Sequence, residues 1–147
     1  MKHVLYVEDN PADAELAAMA LQEIGADIEL HVVGNGPQAF EFLTRNGGKP
    51  GLPLAAPDLI LLDLNLPVFT GAMVLAELRR HPTWSSIPVV MYTSSSLERD
   101  RALATRLGAR FENKPSNWDD ALALAGRLIA CVESRPCPDR RRPELVL

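Results

Sequence analysis

The sequence predicts an α/β fold in which helices cover both faces of a parallel β-sheet. Short apolar runs, each about one strand long, alternate along the chain with segments whose apolar residues recur at helical spacing. The run at residues 59–62 is apolar at every position, as expected for a strand that is buried on both faces. Repeated strand–helix units of this kind form parallel sheets.

The first strand–helix unit and the second strand are indicated by clear local signals. The apolar run at residues 4–7 is followed by Asn10 and Pro11, a favourable N-cap and first helical residue. The helix that they begin ends before Gly25. Residues 28–32 alternate apolar and polar side chains, which predicts a half-exposed edge strand.

The middle of the chain contains a helix, a long loop and two more strands. The helix begins near Pro37, and the Gly and Pro residues of segment 45–57 predict the loop. The buried strand at 59–62 leads to a third helix, which ends before Pro82. Residues 87–92 form the fourth predicted strand.

The last two helices flank a short strand. Ser95 and Glu98 have capping-box spacing and predict the start of the fourth helix. A brief fifth strand at residues 109–111 leads to the fifth helix. One side of that helix is predicted to consist of Trp118, Leu122, Ala125 and Ile129.

Length and charge limit the domain organisation and the partners. The 147 residues suffice for one domain, which we place at residues 1–132, and residues 133–147 with their three prolines predict a C-terminal tail. A net charge of −4 argues against nucleic-acid binding, which needs a basic face. No stretch approaches the about 20 apolar residues of a membrane helix, and the first apolar run is too short for a signal peptide. We therefore expect a cytoplasmic protein that does not bind membranes.

Polar side chains follow four of the five predicted strands. Glu8 and Asp9 follow the first strand, Asp63 the third and Thr93 the fourth, and Lys114 comes shortly after the fifth. In open α/β sheets, ligands bind outside the carboxyl ends of the strands. We therefore expect three carboxylates, one hydroxyl and one ammonium to converge at a single edge of the sheet.

This set of groups is suited to phosphoryl chemistry. Clustered carboxylates repel one another unless a cation is present, and Mg²⁺ binds one or two carboxylates together with water and phosphate oxygens. An aspartate carboxylate can also be the nucleophile that accepts a phosphoryl group. Lys114 and Thr93 would then help to neutralise the phosphoryl oxygens.

Five short motifs occur in order along the chain: Glu8-Asp9, Asp63-Leu64-Asn65-Leu66-Pro67, Gly71, Thr93-Ser94 and Lys114-Pro115. Together they resemble the motif set of response-regulator receiver domains, over about residues 3–132. The resemblance implies a flavodoxin-like (βα)5 doubly wound sheet with strand order 2-1-3-4-5.

The resemblance also implies the roles of the acidic residues. Asp63 would be the phospho-acceptor and would bind Mg²⁺ together with Asp9. Glu8 would contact the metal through water, and Asn65 would supply its backbone carbonyl.

The remaining implied roles concern signalling. Thr93 and Lys114 would contact the phosphoryl group, and Thr93 and Phe111 would form the switch. The chain would be a single-domain, non-enzymatic regulator that is phosphorylated by a histidine kinase and signals by conformational change.

The resemblance also concerns the partners. The long loop at 45–57 and the sequence of residues 63–67 resemble those of regulators that partner phytochrome-type kinases. The resemblance further suggests a homodimer through the fourth helix, the fifth strand and the fifth helix, to which we add the tail ending in Leu145-Val146-Leu147.

Three alternative functions fit the sequence less well than a receiver domain does. A haloacid-dehalogenase-type phosphatase needs a second acid two residues after its nucleophile, and Asn65 occupies that position. A flavodoxin-like cofactor binder would need a loop rich in Gly, Ser and Thr after the first strand, but residues 8–12 are acidic. A receiver that serves only as a binding platform would not need all of the site residues.

Overall fold

The computed structural model describes residues 2–48, 57–93 and 98–133. Strands and helices alternate strictly in this part of the chain. They are β1 Lys2–Val7, α1 Pro11–Glu23, β2 Ile28–Val33, α2 Gly36–Gly48, β3 Leu59–Asp63, α3 Gly71–Arg80, β4 Val89–Thr93, α4 Glu98–Arg106, β5 Arg110–Asn113 and α5 Trp118–Glu133.

The five strands form one parallel sheet in the order β2-β1-β3-β4-β5, which confirms the predicted fold class and strand order. All five residues of the central strand β3 are buried, as its apolar sequence predicts. At the edge, β2 is only partly buried, in agreement with its alternating pattern.

Helices cover both faces of the sheet. On one face, α2, α3 and α4 pack over Leu5, Ile60 and Leu62. On the other face, α1 and α5 pack over Tyr6, Leu61 and the opposite side chains of the neighbouring strands. The core therefore consists of two apolar layers that are separated by the sheet.

Local signals set the ends of several helices as predicted. The Asn10 side chain accepts a hydrogen bond of 2.9 Å from the Ala12 N–H, and Pro11 is the first residue of α1. Gly25 after α1 and Gly108 after α4 have φ values of 72° and 74°, which glycine adopts most readily.

Two predictions at the element level were wrong in part. The helix α2 continues to Gly48, four residues into the predicted loop 45–57. The predicted side of α5 is only partly correct: Ala125 is buried and Leu122 and Ile129 pack against the core, but Trp118 is 39% exposed. The buried residues of α5 are Ala121, Leu124, Ala125, Leu128, Cys131 and Val132.

Some predictions fall on residues outside the described ranges. These are the capping residue Ser95, the rest of the loop up to residue 56, and the tail after Glu133. The division at residue 132 therefore stays a prediction. Within the described ranges, no helix is long and apolar enough to cross a membrane.

Candidate functional site

The carboxyl ends of the strands bring the predicted polar residues together. Asp63 and Thr93 are the last residues of β3 and β4, and Glu8 directly follows β1. Asp63 pairs in register with Tyr92, and Thr93 pairs with Asn113, the residue before Lys114. The expected convergence at one edge is observed.

Lys114 lies at the centre of this cluster. Its Nζ atom is 2.9 Å from Glu8 Oε1 and 3.1 Å from Asp63 Oδ2. The third partner is Asp13, whose Oδ2 lies 2.8 Å away. An ammonium group has three N–H donors, so these three carboxylates can use all of them.

Asp13 is a site residue that sequence reasoning missed. It lies in the first turn of α1 and does not directly follow a strand. The start of α1 follows closely after β1, so the helix begins at the same edge of the sheet. The sequence signal that could have identified Asp13 as part of the site is its position as an acidic residue in the first turn of that helix.

Glu8 is held in a fully buried position. The Tyr6 hydroxyl donates to Glu8 Oε1 at 3.0 Å, and the Asn10 N–H donates to Oε2 at 3.1 Å. The pKa of Glu8 is raised from 4.5 to about 7, because burial and the neighbouring Asp63 raise it by more than the hydrogen bond from Lys114 lowers it. The environment of this carboxyl group therefore favours its protonated form more than an exposed position would.

The carboxylates around Lys114 favour the charged form of its side chain. Burial lowers the pKa of its ammonium, but hydrogen bonds to Asp13 and Glu8 and the charge of Asp63 outweigh that effect. The net result is a raised pKa, so Lys114 stays protonated at physiological pH.

Asp63 and Thr93 are linked through Asn65. The Asn65 N–H donates to Asp63 Oδ1 at 3.0 Å, and its side-chain amide donates to Thr93 Oγ1 at 3.2 Å. Asp63 is 2% exposed and Thr93 is fully buried. The predicted role of the Asn65 carbonyl as a metal ligand stays a prediction.

The acidic residues form a group that fits a divalent metal ion. Carboxylate oxygens of Glu8, Asp9 and Asp63 lie within 4.8 Å of one another. Opposite ligands of an octahedral Mg²⁺ are about 4.2 Å apart, because each bond is about 2.1 Å long. Asp9 is exposed and the other two acids are buried, so an ion could enter from the Asp9 side.

The domain that carries this site matches a known protein family. The family described as "Response regulator receiver domain" matches residues 4–124, which is most of the chain. The chain belongs to the response regulator receiver domain family.

Relatives of this receiver domain include phytochrome response regulators. It is 42% identical to the response regulator Rcp1 of Synechocystis sp. over 99 residues, which are 67% of this chain and 66% of Rcp1. The Mn²⁺-bound crystal structure of Rcp1 is 34% identical with a TM-score of 0.78, over 94% of this chain and 99% of that chain. The chain spans about half the length of three other curated relatives.

Two further solved structures extend this group. The phosphorylated cyanobacterial phytochrome response regulator RcpA has a TM-score of 0.78 and 34% identity, over 90% of this chain and 94% of that chain. The bacteriophytochrome response regulator RtBRR has a TM-score of 0.70 and 38% identity, over 84% of this chain and 75% of that chain.

The backbone at Asp63 and Leu64 leaves no space for a side chain at Gly71, the glycine of the receiver motif. A Cβ atom on Gly71 would overlap the Asp63 carbonyl oxygen and would lie 2.6 Å from Leu64 Cα. The start of α3 therefore packs directly on the backbone that carries Asp63. Within the loop after Asp63, Val68 has a φ of 67° and the Phe69 N–H donates to the Pro67 carbonyl at 2.7 Å, which forms a strained γ-turn.

The predicted switch residue Phe111 lies on β5 near α4. Its ring is partly buried and packs against the layer formed with α2, α3 and α4. The Arg101 guanidinium of α4 stands 4.6 Å from the ring centre, which is a cation–π distance. The receiver domain thus places this aromatic between β5 and α4, and its movement stays a prediction.

Proposed function

We propose that this receiver domain accepts a phosphoryl group on Asp63 from a sensor histidine kinase in a Mg²⁺-dependent reaction. The observation that carries the proposal is the buried Asp63 carboxylate, which lies 3.1 Å from the Lys114 ammonium and next to Glu8 and Asp9. A carboxylate held beside a cation and a possible metal site is arranged for nucleophilic attack on phosphorus.

The chain's own residues share the work of the transfer. An Asp63 carboxylate oxygen forms the new bond to phosphorus, and the bond to the donor nitrogen of the kinase breaks. Lys114 donates N–H groups to the phosphoryl oxygens and gives up part of its contact with the carboxylates. Mg²⁺, held by Asp9, Asp63, the Asn65 carbonyl and through water Glu8, would supply further positive charge.

The switch begins with Thr93. Its hydroxyl accepts a hydrogen bond from the Asn65 amide, so movement toward a phosphoryl group requires that bond to break. The space that Thr93 leaves would be filled by inward rotation of Phe111. Phosphorylation would then favour a second arrangement of α4, β5 and α5 by differential contacts.

The proposal includes the partners and the place of action. The phytochrome response regulators among the relatives support a phytochrome-type kinase as the donor. We further propose that this receiver domain acts in the cytoplasm and forms a homodimer through α4, β5 and α5. The tail that we add to this interface lies outside the described residues.

A signalling role is favoured over hydrolytic turnover by the environment of Asn65. A phosphatase of the alternative class would need a proton donor at this position. The Asn65 side chain carries no acidic proton, and its amide is bonded to Thr93.

The test is phosphorylation by a small donor. Incubation with Mg²⁺ and acetyl phosphate should add one phosphoryl group per chain, detected by intact-protein mass spectrometry. Asp63→Asn should abolish the labelling, because the amide is nearly isosteric but is not a nucleophile. Removal of Mg²⁺ with EDTA should also prevent it.

The matched control is Asp58→Asn, which changes another aspartate close to β3, outside the acidic cluster. Its carboxylate accepts a hydrogen bond from the His3 N–H. Labelling of the control should equal that of the wild type. Undiminished labelling of Asp63→Asn would overturn the assignment.

A further inference from the structure

A second group of possible metal ligands lies near the start of β1. His3 on β1 and Glu29 and His31 on β2 have ligand atoms within 4.8 Å of one another. His3 is in register with Glu29, and His31 is two residues further along the same face of β2. Glu8 is five residues beyond His3, roughly 16 Å along an extended strand, so the two groups are separate.

The two imidazole rings already have nearly the spacing of metal ligands. His3 Nδ1 lies 3.1 Å from His31 Nε2, and the rings are stacked with an interplanar angle of 22°. Neighbouring ligands of a tetrahedral Zn²⁺ are about 3.3–3.5 Å apart, because its bonds to nitrogen and oxygen are about 2.0–2.2 Å long. The distance between the two nitrogens therefore changes by only a few tenths of an ångström, and the rings turn so that both nitrogen lone pairs point at the ion.

Glu29 is placed to supply the third ligand. Its carboxylate oxygens lie 3.8 Å from His3 Nδ1 and 4.0 Å from His31 Nε2. The Glu29 side chain is 53% exposed, whereas those of His3 and His31 are 13% and 24% exposed. The carboxylate can therefore turn toward an ion, and its open side leaves room for a water molecule.

The surroundings restrain the His3 backbone and the His31 ring. The Asp58 carboxylate accepts a hydrogen bond of 2.8 Å from the His3 backbone N–H. The Phe42 ring of α2 lies 5.1 Å from the His31 ring. The histidine pair is therefore largely pre-organised between the sheet and α2, which reduces the cost of ordering the ligands.

We propose that His3, Glu29 and His31 form a second metal site that binds Zn²⁺ in preference to Mg²⁺. Two imidazole nitrogens, one carboxylate oxygen and one water would complete a tetrahedron. Imidazole ligands suit Zn²⁺, whereas Mg²⁺ demands an octahedron of oxygen atoms. The ion replaces the hydrogen bond between the rings; the ring that donated it loses the proton from its facing nitrogen and is protonated on its other nitrogen instead. The ion thereby ties β1 to the edge strand β2.

The experiment is a calorimetric titration of the tag-free full chain with Zn²⁺ in the presence of saturating Mg²⁺, which competes for the acidic site. We expect one Zn²⁺ per chain. His31→Gln should weaken binding by about 100-fold or more, and Glu29→Gln by about tenfold, in line with the loss of ligand contacts. Zn²⁺ should also raise the Tm of the wild type but not that of His31→Gln.

The matched control is His81→Gln, which removes the third histidine of the chain. His81 accepts a hydrogen bond from the Thr83 N–H and stacks on Trp84 at 3.8 Å between ring centres, and it does not belong to the group of possible ligands. This variant should bind Zn²⁺ as the wild type does. Loss of binding in His81→Gln would contradict the proposal.

Co²⁺ distinguishes the proposed site from the acidic one. A four-coordinate site with nitrogen ligands gives intense visible absorption bands, whereas an octahedral oxygen site gives weak ones. The intense bands should appear in the wild type and disappear in His31→Gln. Equal Zn²⁺ affinity and equal Co²⁺ spectra in wild type, His31→Gln and Glu29→Gln would overturn the proposal. If circular dichroism shows that His31→Gln is unfolded, the exposed Glu29→Gln variant decides the question.

Discussion

Lys114 is the residue around which the acidic groups of the receiver site are arranged. One ammonium contacts three carboxylates, those of Glu8, Asp13 and Asp63, while Asp9 stands nearby and exposed. The negative charge of the cluster exceeds what one lysine can balance. A divalent cation or a proton on Glu8 can reduce that excess.

The first prediction concerns the pH dependence of the metal-free protein. Because the pKa of Glu8 is raised from 4.5 to about 7, the folded state holds a proton there that the unfolded chain has lost. The resulting stabilisation is fully present below pH 4.5 and is lost as the pH rises through about 7. In Glu8→Gln, which cannot ionise, this loss should be absent.

The measurement is urea unfolding of wild type and Glu8→Gln in EDTA at several pH values from 4 to 8. The free energy of unfolding of the wild type should fall relative to that of the variant across this window. A constant difference would mean that Glu8 titrates with the same pKa in the folded and unfolded states.

At this scale the sequence was informative where a residue follows a strand. Glu8, Asp63 and Thr93 could be located because the carboxyl ends of parallel strands share one edge. Asp13 was missed because it lies on a helix. The pairing of His3 with His31 was missed because it depends on the register of two strands, which local sequence does not determine.

At the scale of elements, the contact between α3 and β3 controls the position of the acceptor. Gly71 begins α3 directly against the Asp63 carbonyl. Gly71→Ala should lower the free energy of unfolding by about 1–3 kcal/mol, because backbone atoms cannot easily move aside. It should also slow the labelling of Asp63 by acetyl phosphate.

Gly126→Ala in α5 is the matched control for this prediction. A Cβ at this position would have no neighbour within 4 Å, so the change should stabilise the helix by up to about 1 kcal/mol. Both free energies are measured by urea unfolding. Equal stability of Gly71→Ala and the wild type would show that the tight approach is not maintained in solution.

A second element-level feature is the connection that Arg79 makes between α3 and two turns. Its guanidinium donates four hydrogen bonds of 2.7–3.2 Å to backbone carbonyls before β4 and after α4, which belong to Ser85, Ile87, Leu107 and Gly108. A lysine ammonium cannot span these acceptors, since only the planar guanidinium presents its donors in a fork.

Arg79→Lys should therefore lower the free energy of unfolding by about 2–3 kcal/mol, because charged hydrogen bonds to partly buried carbonyls are lost. Arg80→Lys is the control, because the Arg80 side chain is 78% exposed and pairs only with Glu77 among the described residues. It should change stability by less than about 0.5 kcal/mol. Thermal and urea unfolding measure both, and similar small effects would argue against the bridging role.

The helices could be predicted because residues at their ends are local start and stop signals. Asn10, Pro11, Gly25 and Gly108 act through local backbone geometry, which does not depend on the rest of the fold. The complete buried side of α5 was not predictable in this way. That helix has apolar residues around much of its circumference, so only its packing on α1 and the sheet selects the face that is buried.

For the whole molecule, the question is how a change at Asp63 reaches a partner. The α4–β5–α5 surface contains Arg101 over the Phe111 ring at 4.6 Å. On the same surface, Glu112 of β5 is bound by Arg127 of α5 with two contacts of 2.9 and 3.1 Å. Rotation of Phe111 would remove the ring beneath Arg101 and so alter the face that we propose for the dimer.

The last prediction tests that dimer by analytical ultracentrifugation. The full chain and a chain cut after Ser134 are each measured with and without beryllofluoride as a phosphate mimic. We expect the full chain to dimerise more strongly with the mimic, and truncation to weaken the dimer, since the apolar residues Leu145-Val146-Leu147 are removed. Reversal of an exposed charge on α4, Arg106→Glu, should weaken the dimer more than Arg80→Glu on α3 does. A monomer in all four conditions would refute the dimer and leave binding to a different protein as the output.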